Sequence, residues 1–310
     1  MLRYRFPGEN LICLDGDFVI SENTDNQKFT ICNFDQSIKY YWQEESKENS
    51  VEASHPFCID KASYLKLADQ LIADLNRGIA DKIVFSRIRR SDDQVVDPIE
   101  LFEKLLDKYP NALVYYFDNT SIGTWIGASP EVLLERTSEG FKTMALAGTK
   151  LVSEARDFTF KEYNEHAMVA EFIEGQLRQI PNSNLISSEI QNLQLGPVIH
   201  LMQEFQWQMP NYVLPLLIKH LHPTPAVAGL PKRVAKDYIT AIESHERGIY
   251  TGVIGRSTIG HEKLYVNLRC GQIIEGFLYC YVGGGFTPDS IAQDEWQESE
   301  NKSQTLLGLL

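Results

Sequence analysis

Long strand-like runs separated by turn residues, mixed with a few long amphipathic segments, predict an α+β fold in which helices cover sheets that pack on one another. Both halves of the chain read as strands first and a long helix last. No unit of about 20 to 50 residues repeats, which argues against a solenoid or propeller.

Residues 1 to about 55 are polar and turn-rich, with short apolar runs, LICL and DFVI, that look like strands at the margin of a sheet. Over residues 62–77, Leu65, Ala68, Ile72 and Leu75 recur at helical spacing, and Gly78 is placed to end the helix. KIVFSRIR then fits a half-buried strand and PIELFEKLLDKY a helix. ALVYYFD, SIGTWIGA, EVLLERT and FKTMALAG follow as successive strands of an antiparallel meander. Residues 154–180 predict a long amphipathic helix, with Pro181 and Asn182 just beyond its end. VIHLMQEFQWQM is again strand-like. A helix over 212–219 precedes HPTPAVAGLP, whose Pro223 and Pro225 fix an extended, rigid loop that cannot join a sheet interior. After a helix over 232–244 come three strand-like runs, ERGIYTGVIG, KLYVNLRCGQII and FLYCYVGGGF, and a last helix.

With 310 residues and 43% hydrophobic content the chain can bury a large core, as one domain or two intimate halves. A formal net charge of −13, offset by no basic run beyond RIRR at 87–90, argues against a nucleic-acid or anionic-membrane partner. An anionic ligand therefore needs local help. Five cysteines (Cys13, Cys32, Cys58, Cys270, Cys280) are odd in number and widely spaced, which points away from a disulfide scaffold or zinc site and toward a reducing compartment. The N-terminus has no uninterrupted apolar leader, and no window of about 18 apolar residues occurs. The expectation is a soluble cytoplasmic protein, with a monomer preferred for want of an obvious apolar docking helix.

Two segments each offer glutamates one helical turn apart: Glu162 and Glu165 in KEYNEH, and Glu295 and Glu298 in EWQESENK. At this spacing both carboxylates leave one helix face, so two such helices can bring up to four oxygen-bearing groups to one ion. Without softer ligands such a set favours Mg²⁺, Ca²⁺ or Mn²⁺ over zinc. The competing reading is two solvated helix faces. Gly283, Gly284 and Gly285 end a strand and leave backbone N–H groups open to an anion such as a carboxylate, or form a plain turn. Arg269 precedes them, placed for bidentate bonding to that carboxylate if the strands pair as a hairpin, or for an ordinary ion pair. Lys302, four residues after Glu298, either neutralises the glutamates or reaches a second carboxylate.

Eight motifs occur in order: GASPEVLLER (127–136), MALAGTK (144–150), KEYNEH (161–166), LHPTPAVAG (221–229), ERGIYTGVIG (246–255), NLRC (267–270), GGGFTPDS (283–290) and EWQESENK (295–302). Together they resemble the chorismate-utilising enzymes, the family that includes isochorismate synthase, salicylate synthase and the first components of anthranilate and aminodeoxychorismate synthases. The resemblance runs from about Ile79 to the C-terminus. It implies two large antiparallel sheets packed as a sandwich and wrapped by helices. Residues 61–310 would be the chorismate-binding catalytic domain, and residues 1–60 a shortened N-terminal segment contributing to the sheets.

The resemblance also implies roles. Glu165 and Glu298 match direct Mg²⁺ ligands, with Glu162 and Glu295 as companions acting through water. Arg269, Tyr250 and the backbone N–H groups of Gly283 and Gly285 match the site for the enolpyruvyl carboxylate, and Lys302, Gly148 and Thr149 the ring-carboxylate side. His200 corresponds to a histidine near the C4 hydroxyl, although a core histidine is the alternative; His222 reads as architecture around the site. Lys82 stands where water-using members carry a general base and ammonia users a glutamine, so water is the expected nucleophile and no glutaminase partner is needed. A lysine serves as base only when neutral, so its pKa must fall from about 10.4 by burial or nearby positive charge. Glu131 matches the general acid at C4, which requires a raised pKa; Trp125, Ile126 and Val132 supply an apolar setting. Ala147 stands where aminodeoxychorismate synthases place a lysine. The implied reaction is chorismate to isochorismate, with salicylate synthase, which goes on to eliminate pyruvate, as the nearest rival. Ammonia-using enzymes and a catalytically dead binding subunit lie further off. A di-metal carboxylate protein would need a helical bundle, which the strand pattern does not offer.

Overall fold

The computed structural model describes residues 1–20, 29–43, 55–120, 122–181, 183–196, 198–209 and 212–310. Among them lie two antiparallel sheets, of 8 and 10 strands, and the helices α1 (Lys61–Asn76), α2 (Pro98–Lys108), α3 (Phe160–Arg178), α4 (Leu214–Leu221), α5 (Lys232–Ile242) and α6 (Ala292–Leu307). The first sheet runs in the order Gly229–Leu230, Lys82–Gln94, Phe277–Phe286, Cys270–Ile274, Gly123–Ser129, Leu113–Asn119, Leu2–Arg5, Ile12–Leu14. The second is centred on Val198–Trp207, Gly140–Leu151, Val132–Thr137, Lys263–Val266 and Val253–Arg256, and ends in three strands from the N-terminal segment.

Strand alternation explains the layers. Tyr4, Tyr115, Phe117 and Trp125 of the first sheet meet Phe18, Ile31, Ile254 and Tyr265 of the second in one buried cluster, the filling of a sandwich. The outer faces are covered by helices whose apolar stripes repeat every three or four residues. Val169, Ile173 and Leu177 of α3 pack on the second sheet with Leu217 and Leu221 of α4. On the first sheet, Leu101, Phe102 and Leu105 of α2 cover one part, and Tyr64 and Leu71 of α1 with Ala235 and Ile239 of α5 cover another. Burying one such Leu or Phe is worth about 1.5–3 kcal/mol. The two-sheet α+β sandwich is thus the observed architecture. No helix among the described residues is long and apolar enough to cross a membrane, and all five cysteines are free thiols.

Four local expectations need correction, and the corrections build the site. The four-strand meander is divided: Gly123–Ser129 lies in the first sheet and Val132–Thr137 in the second, so the chain changes sheet at Pro130 and Glu131. Pro130 has no N–H to continue a ladder. KLYVNLRCGQII is likewise two strands, Lys263–Val266 and Cys270–Ile274, in opposite sheets. The turn between them places Arg269 at φ +50, outside any strand. Finally, α3 starts at Phe160 rather than near 154, because Thr159 is the N-cap and closes a capping box with Glu162. Asn182, expected with Pro181 beyond this helix, lies outside the described residues. In ERGIYTGVIG only Val253–Arg256 is strand, leaving Tyr250 on a turn.

Candidate active site

The two sheet crossings touch. Ala128 N–H donates to Arg269 O at 3.1 Å and Val266 N–H to Glu131 O at 2.9 Å, so Glu131 and Arg269, more than a hundred residues apart in sequence, enter one cavity. Its volume is about 690 Å³, open solvent at its mouth included. Twelve residues singled out from the sequence line it: Glu131, Ala147, Gly148, Thr149, Glu165, His200, Tyr250, Arg269, Gly283, Gly284, Gly285 and Lys302. Lys82 lies directly behind the glycine wall, since a Cβ added at Gly285 would fall 2.5 Å from Lys82 Cε and 2.6 Å from Glu165 Oε1.

Local structure sets each of these side chains. Gly283, Gly284 and Gly285 pair in register with Ser86, Phe85 and Val84, so the glycine run is ladder rather than turn. The hairpin with Cys270–Ile274 forms as expected. Helix α6 is fastened to Lys82–Gln94 by Arg87, whose Nε donates to Ser299 Oγ at 2.8 Å while its guanidinium lies 3.8 Å over the Trp296 ring. This fixes the distance between the strand of Lys82 and the helix of Glu295 and Glu298.

At the far wall, Arg269 donates to Thr305 Oγ1 at 3.1 Å and approaches His200 Nε2 at 3.1 Å, while His200 Nδ1 is 3.0 Å from Thr149 Oγ1. A guanidinium only donates, so Nε2 accepts and Nδ1 carries the proton toward Thr149. Burial, with the Arg269 and Lys302 charges, holds His200 well below its ordinary value, so the ring is neutral. Glu131 shows the opposite burial effect: its carboxyl is pushed up to about 8, against the opposing charge of Lys82.

The glutamates are arranged around lysines. Lys82 Nζ reaches Glu165 Oε1 at 2.9 Å, Lys161 Nζ reaches Glu295 Oε1 at 3.0 Å, and Lys302 pairs with Glu298 while donating to Gly283 O at 2.8 Å. Burial raises Glu165, but Lys82, Lys302 and Lys161 together bring it below the ordinary carboxylate range. Glu295 is pushed up to about 7 by burial and the Glu298 charge, despite Lys161. Glu162 is not brought into this group: Arg156 holds one carboxylate oxygen at 2.8 Å and the Thr159 N–H the other at 2.6 Å.

No three acidic or imidazole side chains among the described residues are gathered closely enough to close around an ion. The donor chemistry nevertheless fits a hard divalent cation. Glu165, Glu295 and Glu298 are oxygen donors beside glycines where a Cβ would intrude, 2.8 Å from Glu295 Oε2 at Gly284 and 2.6 Å from Glu165 Oε1 at Gly285. Lys161 was not singled out from the sequence. Its signal was present, since it precedes Glu165 by one helical turn just as Lys302 follows Glu298.

A family model described as "Chorismate binding enzyme" matches residues 10–310. The chain belongs to that family. Among related proteins, this chorismate-binding enzyme is similar to isochorismate synthase EntC of Escherichia coli K12, with 28% identity over 242 residues, 74% of this chain and 62% of that protein. The chain thus spans less than two thirds of that relative's length. It is also similar to isochorismate synthase DhbC of Bacillus subtilis, with 27% identity over 294 residues covering 86% of this chain and 73% of the other. Among solved structures, MenF, the menaquinone-specific isochorismate synthase from E. coli, superposes with TM-score 0.81 at 22% identity, covering 99% of this chain and 88% of that one. Anthranilate synthase component I from Streptococcus pneumoniae gives TM-score 0.73 at 17% identity, covering 99% and 90%. At these identities the two structures establish that this chorismate-binding enzyme shares their fold.

Proposed function

We propose that this chain is an isochorismate synthase, which adds water at C2 of chorismate and expels the C4 hydroxyl. The observation that carries this reading is an acid and a lysine buried at one cavity: Glu131, kept protonated up to about pH 8, and Lys82, wholly enclosed behind Gly285. Lys82 takes a proton from water as the water oxygen bonds to C2. The ring double bonds shift, the C4–O bond breaks, and the hydroxyl leaves as water with the proton of Glu131. One water enters and one leaves, so the product is an isomer. Each proton transfer contributes about 10²–10⁴-fold to such a reaction.

Arg269, Tyr250 and the N–H groups of Gly283 and Gly285 bind the enolpyruvyl carboxylate; Lys302, Gly148 and Thr149 face the ring carboxylate. His200, neutral and bonded on both nitrogens, orients Arg269 and Thr149 rather than transferring a proton. Glu165 and Glu298, with Glu295 behind them, would hold Mg²⁺, which when bound supplies positive charge for the ring carboxylate. Water as nucleophile leaves no task for a glutaminase subunit.

The test is incubation with chorismate and Mg²⁺, with products resolved by chromatography. Isochorismate alone is expected. Salicylate with pyruvate would favour a salicylate synthase, an aminated product with ammonia a component I enzyme, and no conversion a binding subunit.

A further inference from the structure

Beside the cavity, the strand Lys82–Gln94 loses its outer neighbour. On the side away from Phe277–Phe286 it pairs with Gly229–Leu230 through Lys82 and Ile83, and the Val84 N–H then reaches Ala228 O at 2.8 Å. The next two backbone groups on that edge are satisfied by side chains in place of a strand. Arg247 donates to Val84 O at 2.9 Å, and the Ser86 N–H donates to Glu243 Oε1 at 2.8 Å. Buried backbone groups must find partners, but here the partners are an ion pair whose side chains are only 4% and 3% exposed.

The Arg247 guanidinium does more than finish this edge. It donates to Val227 O at 2.8 Å and to Thr251 Oγ1 at 3.3 Å, and it grips both oxygens of Glu243 at 2.8 and 2.7 Å. Val84, Val227 and Thr251 all line the cavity, and Thr251 adjoins Tyr250. One side chain therefore joins three separate pieces of the cavity wall: the strand of Lys82, the loop after His222 and the turn of Tyr250. Val84 and Ser86 are also the residues paired in register with Gly285 and Gly283. A buried ion pair is a poor way to gain stability, because apolar residues of similar volume often do as well. A planar fork that fixes three backbone segments at once is a good way to gain geometry.

We propose that Arg247, held in orientation by Glu243, is a positioning residue for the reaction, setting the register of Lys82 and Tyr250 around one substrate. This rests on the isochorismate synthase reading. The test is Arg247→Lys, which keeps the charge and loses the fork. With displacements of about 1 Å able to reduce rates 10²-fold, kcat for chorismate turnover should fall on the order of 10²-fold. KM should rise by much less than kcat falls, because Arg269 is bonded outside the Arg247 network, to Thr305 and His200. Kinetics are measured well below the melting point of each variant. Amide exchange over residues 82–86 should quicken in the same protein.

Wild-type kcat in Arg247→Lys, or a rise confined to KM, overturns the proposal. If Arg247→Lys does not melt cooperatively, Ser86→Ala carries the test: it removes the 2.7 Å bond from Ser86 Oγ to Glu243 Oε1 and the 3.1 Å contact of the same hydroxyl with His245 Nε2 while leaving the Arg247–Glu243 pair intact, and a several-fold loss of kcat at constant KM is expected. Unchanged kcat there overturns the proposal equally. A wild-type chain that does not convert chorismate overturns the functional reading and the positioning role with it, whereas an active wild type with an equally active variant overturns the positioning role alone.

Discussion

Lys82 and Glu165 form a closed ion pair at 2.9 Å, with the lysine side chain 1% exposed. The residue proposed as base is thus held by a carboxylate proposed as metal ligand. The pairing gives Glu165 two duties: it holds the amine beside Gly285, and it must release it as the neutral amine before Lys82 can accept a proton from water. Removing the amine and removing the carboxylate should therefore have different signatures.

Lys82→Ala is expected to lower kcat by at least about 10²-fold while chorismate still binds, since general-base assistance is typically worth 10²–10⁴-fold. Glu165→Gln should lose Mg²⁺ affinity as well as rate. Binding by calorimetry with and without Mg²⁺ separates the two. Wild-type turnover by Lys82→Ala would remove the base from the mechanism.

Glu131 makes the pH dependence specific. Its ordinary value is 4.5 and burial pushes it to about 8, so the general acid is lost, and activity with it, as pH rises through about 8. The sign for stability follows by linkage. Between 4.5 and about 8 the folded chain holds a proton that the unfolded chain has released, so Glu131 makes the folded state progressively less favourable as pH rises across that window. Glu131→Gln should then be inactive, yet melt higher than the wild type at pH 8 and no higher at pH 5 by about the same measure. Equal shifts at both pH values would contradict the raised carboxyl.

Much of this site was legible because local patterns carried it. Glu165, Glu298, Lys302 and the glycine run sit in short motifs whose spacing survives folding. Glu162 shows the limit of that reasoning. Thr159 and Glu162 form a T-x-x-E signature, and the helix N-terminus, with its unpaired N–H groups, claims the carboxylate that spacing alone had offered to a metal. The division of the meander at Pro130 escaped for another reason: alternation identifies strands but not the sheet each one joins. Lys161 with Glu295, 134 residues apart, and Arg247 with Val84, 163 apart, are long-range pairs that only the sandwich brings together.

The glycine wall offers a steric test that removes no charged group. A Cβ at Gly285 would lie 2.5 Å from Lys82 Cε and 2.6 Å from Glu165 Oε1, closer than real contacts allow. Gly285→Ala should force the Lys82–Glu165 pair apart and reduce kcat by about 10²-fold or more. Gly276, at φ +79 with nothing nearer than 3.8 Å to an added Cβ, provides the control. Gly276→Ala should lose on the order of 1 kcal/mol of stability through its left-handed backbone and keep its kcat. Comparable kcat losses in both variants would deny the wall a special role.

Lys161 gives the last prediction, about Mg²⁺ itself. Glu295 is 3% exposed and pairs with Lys161 at 3.0 Å, and it still stands raised to about 7 because burial and the Glu298 charge outweigh that lysine. Glu295 is therefore short of positive charge even with Lys161 in place. Lys161→Met keeps most of the side-chain volume and removes one competing cation. Mg²⁺ should then bind more tightly, by about threefold or more in titration calorimetry at about pH 9, well above the raised value of Glu295, because attraction between a divalent ion and buried ionised carboxylates grows when a neighbouring positive charge is withdrawn. EDTA should abolish chorismate turnover in both proteins, and excess Mg²⁺ should restore it. Weaker Mg²⁺ binding by Lys161→Met would mean that Lys161 helps to build the cation site rather than competing for it.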